Sequence, residues 1–313
     1  REVIARVTQS FHELTYIRKA RQIAKENAIL LDKLRQMAET GHARERTALI
    51  DVVKAQAQVG QLRYDILLLE ELEQTESTLL NSLLNRPPDG TLGILQPQPV
   101  TLVDISINTL YTLADANQEG IRIAGLRVEK AKHGVTLSQY AGKPDFKLGL
   151  FYAAIGNPDV PFPPRDAGND AVGIQFGVNI PLWFGKNNGN IDMARAVVLQ
   201  EKAMLTEIKN QTHSRIRSLY FKLNNSKRLM ILYGKELMPQ AVKALDVSQE
   251  WFRNGQGSFS DVLEAQAAVY NFQLALARAR ADYGKTLAEL QRLVGVRIDQ
   301  WSGVSRTREV DNG

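Results

Sequence analysis

The fold is decided by two matching segments of the sequence, DVVKAQAQV at residues 51–59 and DVLEAQAAV at residues 261–269. They start 210 residues apart, and six of their nine positions are identical. The same spacing pairs Leu80 with Leu290 without a gap. Similarity at a fixed distance indicates an internal repeat. We therefore predict two long helices built on one template; the alternative is chance similarity between helices rich in Ala, Gln and Leu.

The later copy carries an apolar stripe in which steps of three and four residues alternate. Its members are Val262, Ala265, Val269, Phe272, Leu276, Ala279, Tyr283, Leu287, Leu290 and Val294. Such steps average about 3.5 residues per turn, the coiled-coil value. The earlier copy keeps the stripe from Val52 to Leu69 and turns polar near Glu73. The predicted fold class is mainly α, with long antiparallel coiled-coil hairpins in two repeats.

A second long helix precedes the later copy. Residues 190–254 contain neither Gly nor Pro apart from Gly234 and Pro239. Because Gly and Pro are the residues that interrupt helices, most of this stretch is predicted to be helical. With residues 259–294 it is predicted to form an antiparallel hairpin that turns at 255–258.

The turn has the chemistry of a helix stop followed by a helix start. Gly255 suits the left-handed position after a helix end. Ser258 is a good N-cap residue, and Asp261 three residues later gives a pattern close to a capping box. A similar signal precedes the first copy, where we predict a helix stop at Gly41 and a cap at Thr47.

Between the repeats, two stretches alternate apolar and polar side chains. One covers residues 146–152 and the other residues 172–180, with a loop rich in Pro, Gly and Asp at 157–171. A period of two predicts strands with one apolar face. Two interpretations stay open: an outer-membrane hairpin, or a soluble ribbon packed on a helix. In the first, the lipid-facing side chains are Val172, Ile174, Phe176, Val178 and Ile180.

Composition narrows the classes of function. The 313 residues include no Cys and carry a formal net charge of +5. Without Cys there is no disulfide scaffold and no thiolate metal site. The basic residues alternate with acidic ones along helices, which favours solvated helix faces over a nucleic-acid surface. No run of about 18 apolar residues occurs, so no transmembrane helix is predicted.

The sequence also lacks recognisable catalytic motifs. It has no Gly-rich phosphate loop after a strand and no nucleophile elbow. The four histidines have no metal-ligand spacing; they are His12, His42, His133 and His213. We therefore predict no enzyme, no metal site and no cofactor.

Three features, through their order and spacing along the chain, resemble the TolC-type outer-membrane efflux factors, the channels of tripartite efflux and type I secretion systems. The first is the turn and helix start at 255–265, with Gly255, Gly257, Ser258 and Asp261. The second is the strand end at 176–182, and the third is the two-fold repeat. The resemblance covers essentially the whole chain.

This resemblance implies a homotrimer in the outer membrane of a Gram-negative bacterium, extending into the periplasm. Each protomer would give four strands to a β-barrel and helical hairpins to a tunnel. The implied partners are a periplasmic adaptor protein, an inner-membrane transporter and outer-membrane lipid, with no nucleic acid. The implied function is a passive export duct, gated by an iris-like movement of the hairpin tips. Since one strand pair is visible, we expect the other, with any signal peptide or lipid-carrying Cys, before Arg1.

The resemblance also assigns roles to residues of the tips. Acidic side chains ring the closed mouth in the family, and the matching residues are Asp51, Asp261 and Glu264. The tips that contact the adaptor would include Gly41, Thr47, Gly255, Gly257 and Ser258. This chain departs from some relatives, because Phe252 and Gly257 stand where those relatives lock the gate with Tyr and Arg. In addition, Lys54 stands where some relatives carry an acid.

The predicted organisation has five parts. They are a first helical hairpin at 1–85, an equatorial segment and ascending helix at 86–142, a membrane β-hairpin at 143–186, a second helical hairpin at 187–297 and a C-terminal tail at 298–313. Two alternatives to a duct are a periplasmic adaptor and a soluble coiled-coil scaffold. An adaptor would have one helical hairpin and more strands, and a scaffold would have no need of the strand pair.

Overall fold

The structure of the protein is a computed structural model that describes residues 1–45, 47–96, 100–157, 159–162, 165, 167–300 and 305–308. Most of the predicted tail at 298–313 and part of the loop at 157–171 lie outside the described residues. The chain divides into two compact units, Arg1–Gln118 with Gln211–Gly313, and Glu119–Asn210.

The first unit is dominated by helices. They are α1 (Glu2–Ala43), α2 (Leu49–Leu83), α3 (Ile107–Asn117), the second half of α5 (Phe184–Ile231), α6 (Met238–Arg253) and α7 (Phe259–Val294). A π-helical segment, Leu232–Leu237, joins α5 to α6 and is called the π-segment below. α1 packs against both α2 and α7, and α6 packs against α7. The predicted turn is confirmed, because α6 and α7 run side by side on either side of a turn at 254–258. Residues 190–210 of the predicted hairpin belong to the second unit.

The first of two apolar cores in this unit lies near the helix turns, and we call it the tip core. It gathers side chains from α1, α2, α6 and α7. Both copies of the repeat bury the predicted stripe in it, through Val52, Ala55 and Val59 in α2 and through Val262 and Val269 in α7. The heptad interpretation of the sequence is therefore confirmed. Its polar end is explained too, because Glu73 of α2 forms ion pairs with two arginines of α1.

The second core, the strand core, joins α3, α5 and α7 to a small sheet. In this sheet β1 (Thr101–Asp104) pairs antiparallel with β4 (Ser305–Arg308). Tyr283 of α7 is 1% exposed, and its hydroxyl accepts a hydrogen bond from the backbone N–H of Val103 at 2.8 Å. Burial raises the pKa of Tyr283 to about 12, although this hydrogen bond acts in the opposite direction. The hydroxyl therefore stays protonated and ties the sheet to α7.

The second unit holds α4 (Glu119–Tyr140), a β-hairpin and the first half of α5. The hairpin consists of β2 (Asp145–Ala153) and β3 (Ala171–Asn179), which pair antiparallel in the register that joins Phe146 to Val178 and Tyr152 to Val172. The predicted strands are thus confirmed, with Ile180 one residue beyond the end of β3. The fold is mainly α with helical hairpins and a small antiparallel strand pair, as predicted.

Two local predictions about the first turn were wrong. α1 does not stop at Gly41 but continues to Ala43, and the N-cap of α2 is Ala48, not Thr47. The reason for the glycine is space, because a Cβ at position 41 would collide with the side-chain hydroxyl of Thr47. Thr47 is buried at 8% exposure, so its side chain fills the turn and does not cap the helix.

Candidate gate at the helical tips and candidate membrane hairpin

The second tip, residues 254–258, is a tight turn held by its own backbone. Gly255 has a φ of +72°, which L-residues other than Gly rarely adopt. The N–H groups of Gln256 and Gly257 both donate to the carbonyl oxygen of Trp251, at 2.9 and 3.2 Å. A Cβ at position 257 would lie 3.0 Å from that of Trp251, so glycine fits the close approach.

The start of α7 has the predicted capping box. The Ser258 hydroxyl accepts from the N–H of Asp261 at 3.1 Å, and the Asp261 carboxylate accepts from the N–H of Ser258 at 3.1 Å. The two bonds satisfy N–H groups that the first turn of a helix leaves free. Asp261 therefore has a structural role in addition to any role at a channel mouth.

The first tip, residues 44–48, is organised differently. His42 at the end of α1 contacts the carbonyl oxygen of Thr47 through Nδ1 at 2.9 Å. Glu45 has a φ of +57°, a left-handed conformation at a residue that is not glycine. The two predicted tip residues in this region, Gly41 and Thr47, touch each other.

One side chain joins the two copies of the repeat at their tips. The hydroxyl of Ser260 donates to Oδ1 of Asp51 at 2.9 Å, and Nζ of Lys54 donates to the same hydroxyl at 3.1 Å. Asp51 is half-buried. The sequence did not single out Ser260, because the equivalent residue of the first copy is Ile50 and the pair has no common chemistry.

The three predicted gate acids thus differ in their burial and in their hydrogen-bond partners. Asp51 is held by Ser260, whereas Asp261 and Glu264 are exposed. Among the described residues, neither exposed acid has a hydrogen bond to Asp51. Asp261 also lines a cavity of about 430 Å³ beside the second tip. The cavity is lined mainly by α6, including Lys243, Ala244, Val247 and Trp251.

The β-hairpin has one fully apolar face. Its exposed fractions run from 44% at Val178 to 81% at Leu150, so none of the helices that the structure describes covers it. The eight side chains on that face are Phe146, Leu148, Leu150, Tyr152, Val172, Ile174, Phe176 and Val178. The opposite face carries Gly173, Gln175, Gly177 and Asn179 along β3. A contiguous exposed apolar face of this kind marks an interaction surface.

Within the residues described here, no helix is both long enough and apolar enough to cross a membrane. No curated protein matches the chain in sequence. The fold, however, is similar to that of several solved outer-membrane channels.

VceC, an outer membrane protein of Vibrio cholerae, is 21% identical with a TM-score of 0.77, over 94% of this chain and 70% of VceC. CusC is 16% identical with a TM-score of 0.80, over 94% of this chain and 68% of CusC. The open MtrE outer membrane channel of Neisseria gonorrhoeae is 14% identical with a TM-score of 0.74, over 95% of this chain and 66% of MtrE.

The profile of the outer membrane efflux proteins matches residues 110–296, which is more than half of the chain. This region contains the strand pair, the second helical hairpin and the second tip. The protein therefore belongs to the outer membrane efflux protein family, the TolC-like channels of the Gram-negative outer membrane.

Proposed function

We propose that the protein is a passive export duct that works as a homotrimer in a tripartite system. Its β-hairpin would contribute to a trimeric barrel in outer-membrane lipid. Its helical tips would face the periplasm and meet an adaptor protein, which couples the duct to an inner-membrane transporter. Membership of the efflux family and the two kinds of hairpin in one chain support this assignment over an adaptor or a soluble scaffold.

The observation that carries the proposal is the uncovered apolar face of β2 and β3. Each strand has nine residues. At about 3.3 Å per residue such a strand is roughly 30 Å long. Tilted by about 40°, it spans roughly 23 Å, close to the apolar band of about 25 Å in outer-membrane barrels. Eight large exposed apolar side chains on a hairpin would be unfavourable in water, and lipid removes that cost.

The opposite face of β3 suits a water-filled lumen. Gly177 is small, Gln175 and Asn179 offer polar groups, and Gly173 makes room for the ring of Phe151 from β2, the one large apolar side chain among the strand residues on this face. Barrel strands alternate between lipid and lumen in this manner. Under this proposal Val172, Ile174, Phe176, Val178 and Ile180 face lipid.

A gate at the tips completes the proposal. Asp51, Asp261 and Glu264 would form an acidic ring whose opening is an iris-like movement of the tips. With Lys54 they leave two negative charges per protomer, or about six around a trimer, where a narrow mouth concentrates the field. The Ser260 hydroxyl bridges Asp51 and Lys54, so it would stand in for the Tyr and Arg lock that Phe252 and Gly257 cannot form.

The adaptor would bind at Gly41, Thr47, Gly255, Gly257 and Ser258. The cavity beside the second tip supports this assignment, because Trp251 is 55% exposed there and Lys243 and Asp261 line the same cavity. An exposed Trp with polar neighbours is the composition of a protein contact.

Spin labelling of the full-length trimer in lipid tests the proposal. Because residues 1–313 contain no Cys, no thiol of this part of the protein competes with single Cys substitutions for the label. Labels at 174 and 176 should be accessible to oxygen dissolved in lipid, and labels at 175 and 177 to a water-soluble relaxation agent. The reverse pattern, or water access at all four positions, would reject the barrel assignment.

A further inference from the structure

The long helix before the second tip is interrupted where the corresponding helix of the first repeat is not. α1 buries a strict heptad series that runs toward the first tip: Ser10, Ile17, Ala24, Leu31 and Ala38. Every step in that series is seven residues. A constant step of seven keeps one face of a gently supercoiled helix against its neighbours without a break.

The α5–α6 series contains one step of eight. Its core-facing members are Ile216, Leu223, Met230, Met238, Leu245 and Phe252. The long step runs from Met230 to Met238. The neighbouring series repeats the irregularity, since Ser226 is buried and the next member, Gly234, lies against Leu276. Both long steps share the interval 230–234, so one extra residue has been accommodated there.

The π-segment is the place where the helix backbone takes up that extra residue. It covers Leu232–Leu237 and contains no buried side chain. A π-helical turn closes with i→i+5 hydrogen bonds, takes up one more residue than an α-helical turn and occurs frequently at functional sites. Pro239 follows at once and has no N–H to donate back along the helix. The backbone ladder is therefore weak at this level.

The π-segment also lies between the two cores. On this helix the strand core ends at Met230 and the tip core begins at Met238. Across to α7, Tyr233 meets the ring of Phe272 at 5.8 Å between centroids, and Gly234 lies beside Leu276 without a side chain of its own. Bending at this point leaves the strand core packed, whereas the tip core, which α1 and α2 share with α6 and α7, has to slide between its two hairpins.

We propose that the π-segment is the hinge on which α6 bends and carries the second tip relative to the first. This inference rests on the proposed gate, because it names the place where the gate movement is produced. α1 of the first repeat stays straight during this movement, because it passes the same level with an unbroken heptad series. Bending of the helix costs less at a segment with no buried side chain than within either core, where buried side chains would lose their contacts.

Deleting Ile231 is the direct test. This side chain is 39% exposed, and its removal restores steps of seven in both series. The second variant is Gly234→Ala, for which a Cβ would meet Leu276 at 3.5 Å, an ordinary contact. Its matched control is Gly60→Ala in α2, where a Cβ meets nothing within 4 Å. Both Gly→Ala changes favour the α-helix by the same propensity, so only their positions differ.

The readouts are single-channel recordings of the full-length trimer and the distance between spin labels at positions 44 and 253, in trimers with one labelled protomer. Wild type should give a broad distance distribution, and deletion of Ile231 a single narrow one with rare opening. Gly234→Ala should lower the opening frequency about fivefold, and Gly60→Ala should leave it unchanged.

The outcomes separate the hinge from the gate. If tip movement in the wild type survives both hinge variants, the hinge is wrong and the gate stands. If the wild type keeps one distance in open and closed channels, the moving gate fails, and the hinge fails with it. Should the deletion variant not assemble, Gly234→Ala measured against Gly60→Ala decides between these results.

Discussion

α2 and α7 share a template but have different surroundings. α2 packs along α1, whereas α7 packs against α1 and α6. The equivalent positions 53 and 263 show the result, because Val53 is 50% exposed and Leu263 is 2% exposed. A repeated sequence stripe therefore fixes which face of a helix packs first, and the number of neighbours decides how many faces are buried.

The glutamine that both copies of the repeat share shows the same difference in a polar residue. Gln56 of α2 is exposed and donates to Glu39 of α1 at 3.1 Å. Gln266 of α7 is 4% exposed and donates to Asn27 of α1, which is buried too. A buried polar pair requires its hydrogen bond, because an unpaired amide in a core is costly. The second copy thus specifies its packing more strictly than the first.

The largest effect should come from truncating a side chain whose exposure differs strongly between the copies. Leu263→Ala should lower the free energy of unfolding by about 2–5 kcal/mol, since it leaves a cavity in the tip core. Val53→Ala at the equivalent position should cost about 0.5 kcal/mol or less, as expected for an exposed side chain. Chemical unfolding of the full chain in detergent measures both. An equal loss of unfolding free energy in the two variants would contradict the difference in burial between the copies. It would mean that the outer face of α2 is covered in the assembly.

A smaller effect should follow from the bridge between the two tips. Ser260→Ala removes the hydroxyl that joins Asp51 to Lys54, and should lower the free energy of unfolding by about 0.5–1.5 kcal/mol. We also expect more frequent channel opening, because the two copies lose this polar contact. Ser138→Ala is the matched control, since within the described residues that half-buried hydroxyl bonds to the Gly134 carbonyl of its own helix at 3.0 Å, away from the tips. Identical behaviour of the two variants would remove Ser260 from the gate.

Local patterns predicted much of this fold. The heptad stripe of α7, the Gly255 stop, the capping box at Ser258 and Asp261, and the alternation in β3 each depend on residues within a few positions of one another. Such features are visible in sequence because helix and strand periods are short. The helix-stop and helix-start chemistry of residues 255–258 also gave the hairpin arrangement of the second copy.

Features that depend on distant residues were missed. β1 and β4 are four residues each and pair across about two hundred residues of chain, so neither carries a pattern of its own. Gly41 was interpreted as a helix stop, whereas its role is to make room for Thr47, a contact that no local rule contains. The π-segment was visible only as Gly234 and Pro239, because its step of eight depends on knowing which side chains face the core. The gate and adaptor residues stay predictions.

The most direct test of the account is the ion selectivity of a channel that lacks the two exposed acids of the second copy. Asp261→Asn keeps a side-chain oxygen for the capping box, and Glu264→Gln keeps the size of an exposed side chain. The control pair, Glu71→Gln with Asp89→Asn, removes two charges from exposed positions away from the tips.

Bilayer recordings of the full-length trimer should show that Asp261→Asn with Glu264→Gln lowers cation selectivity and weakens block by multivalent cations, because a narrow ring of charge acts strongly on permeating ions. The control pair should change neither. Unchanged selectivity and unchanged block in the Asp261 and Glu264 variant would contradict the account, and would mean that these carboxylates serve the fold of the tip alone.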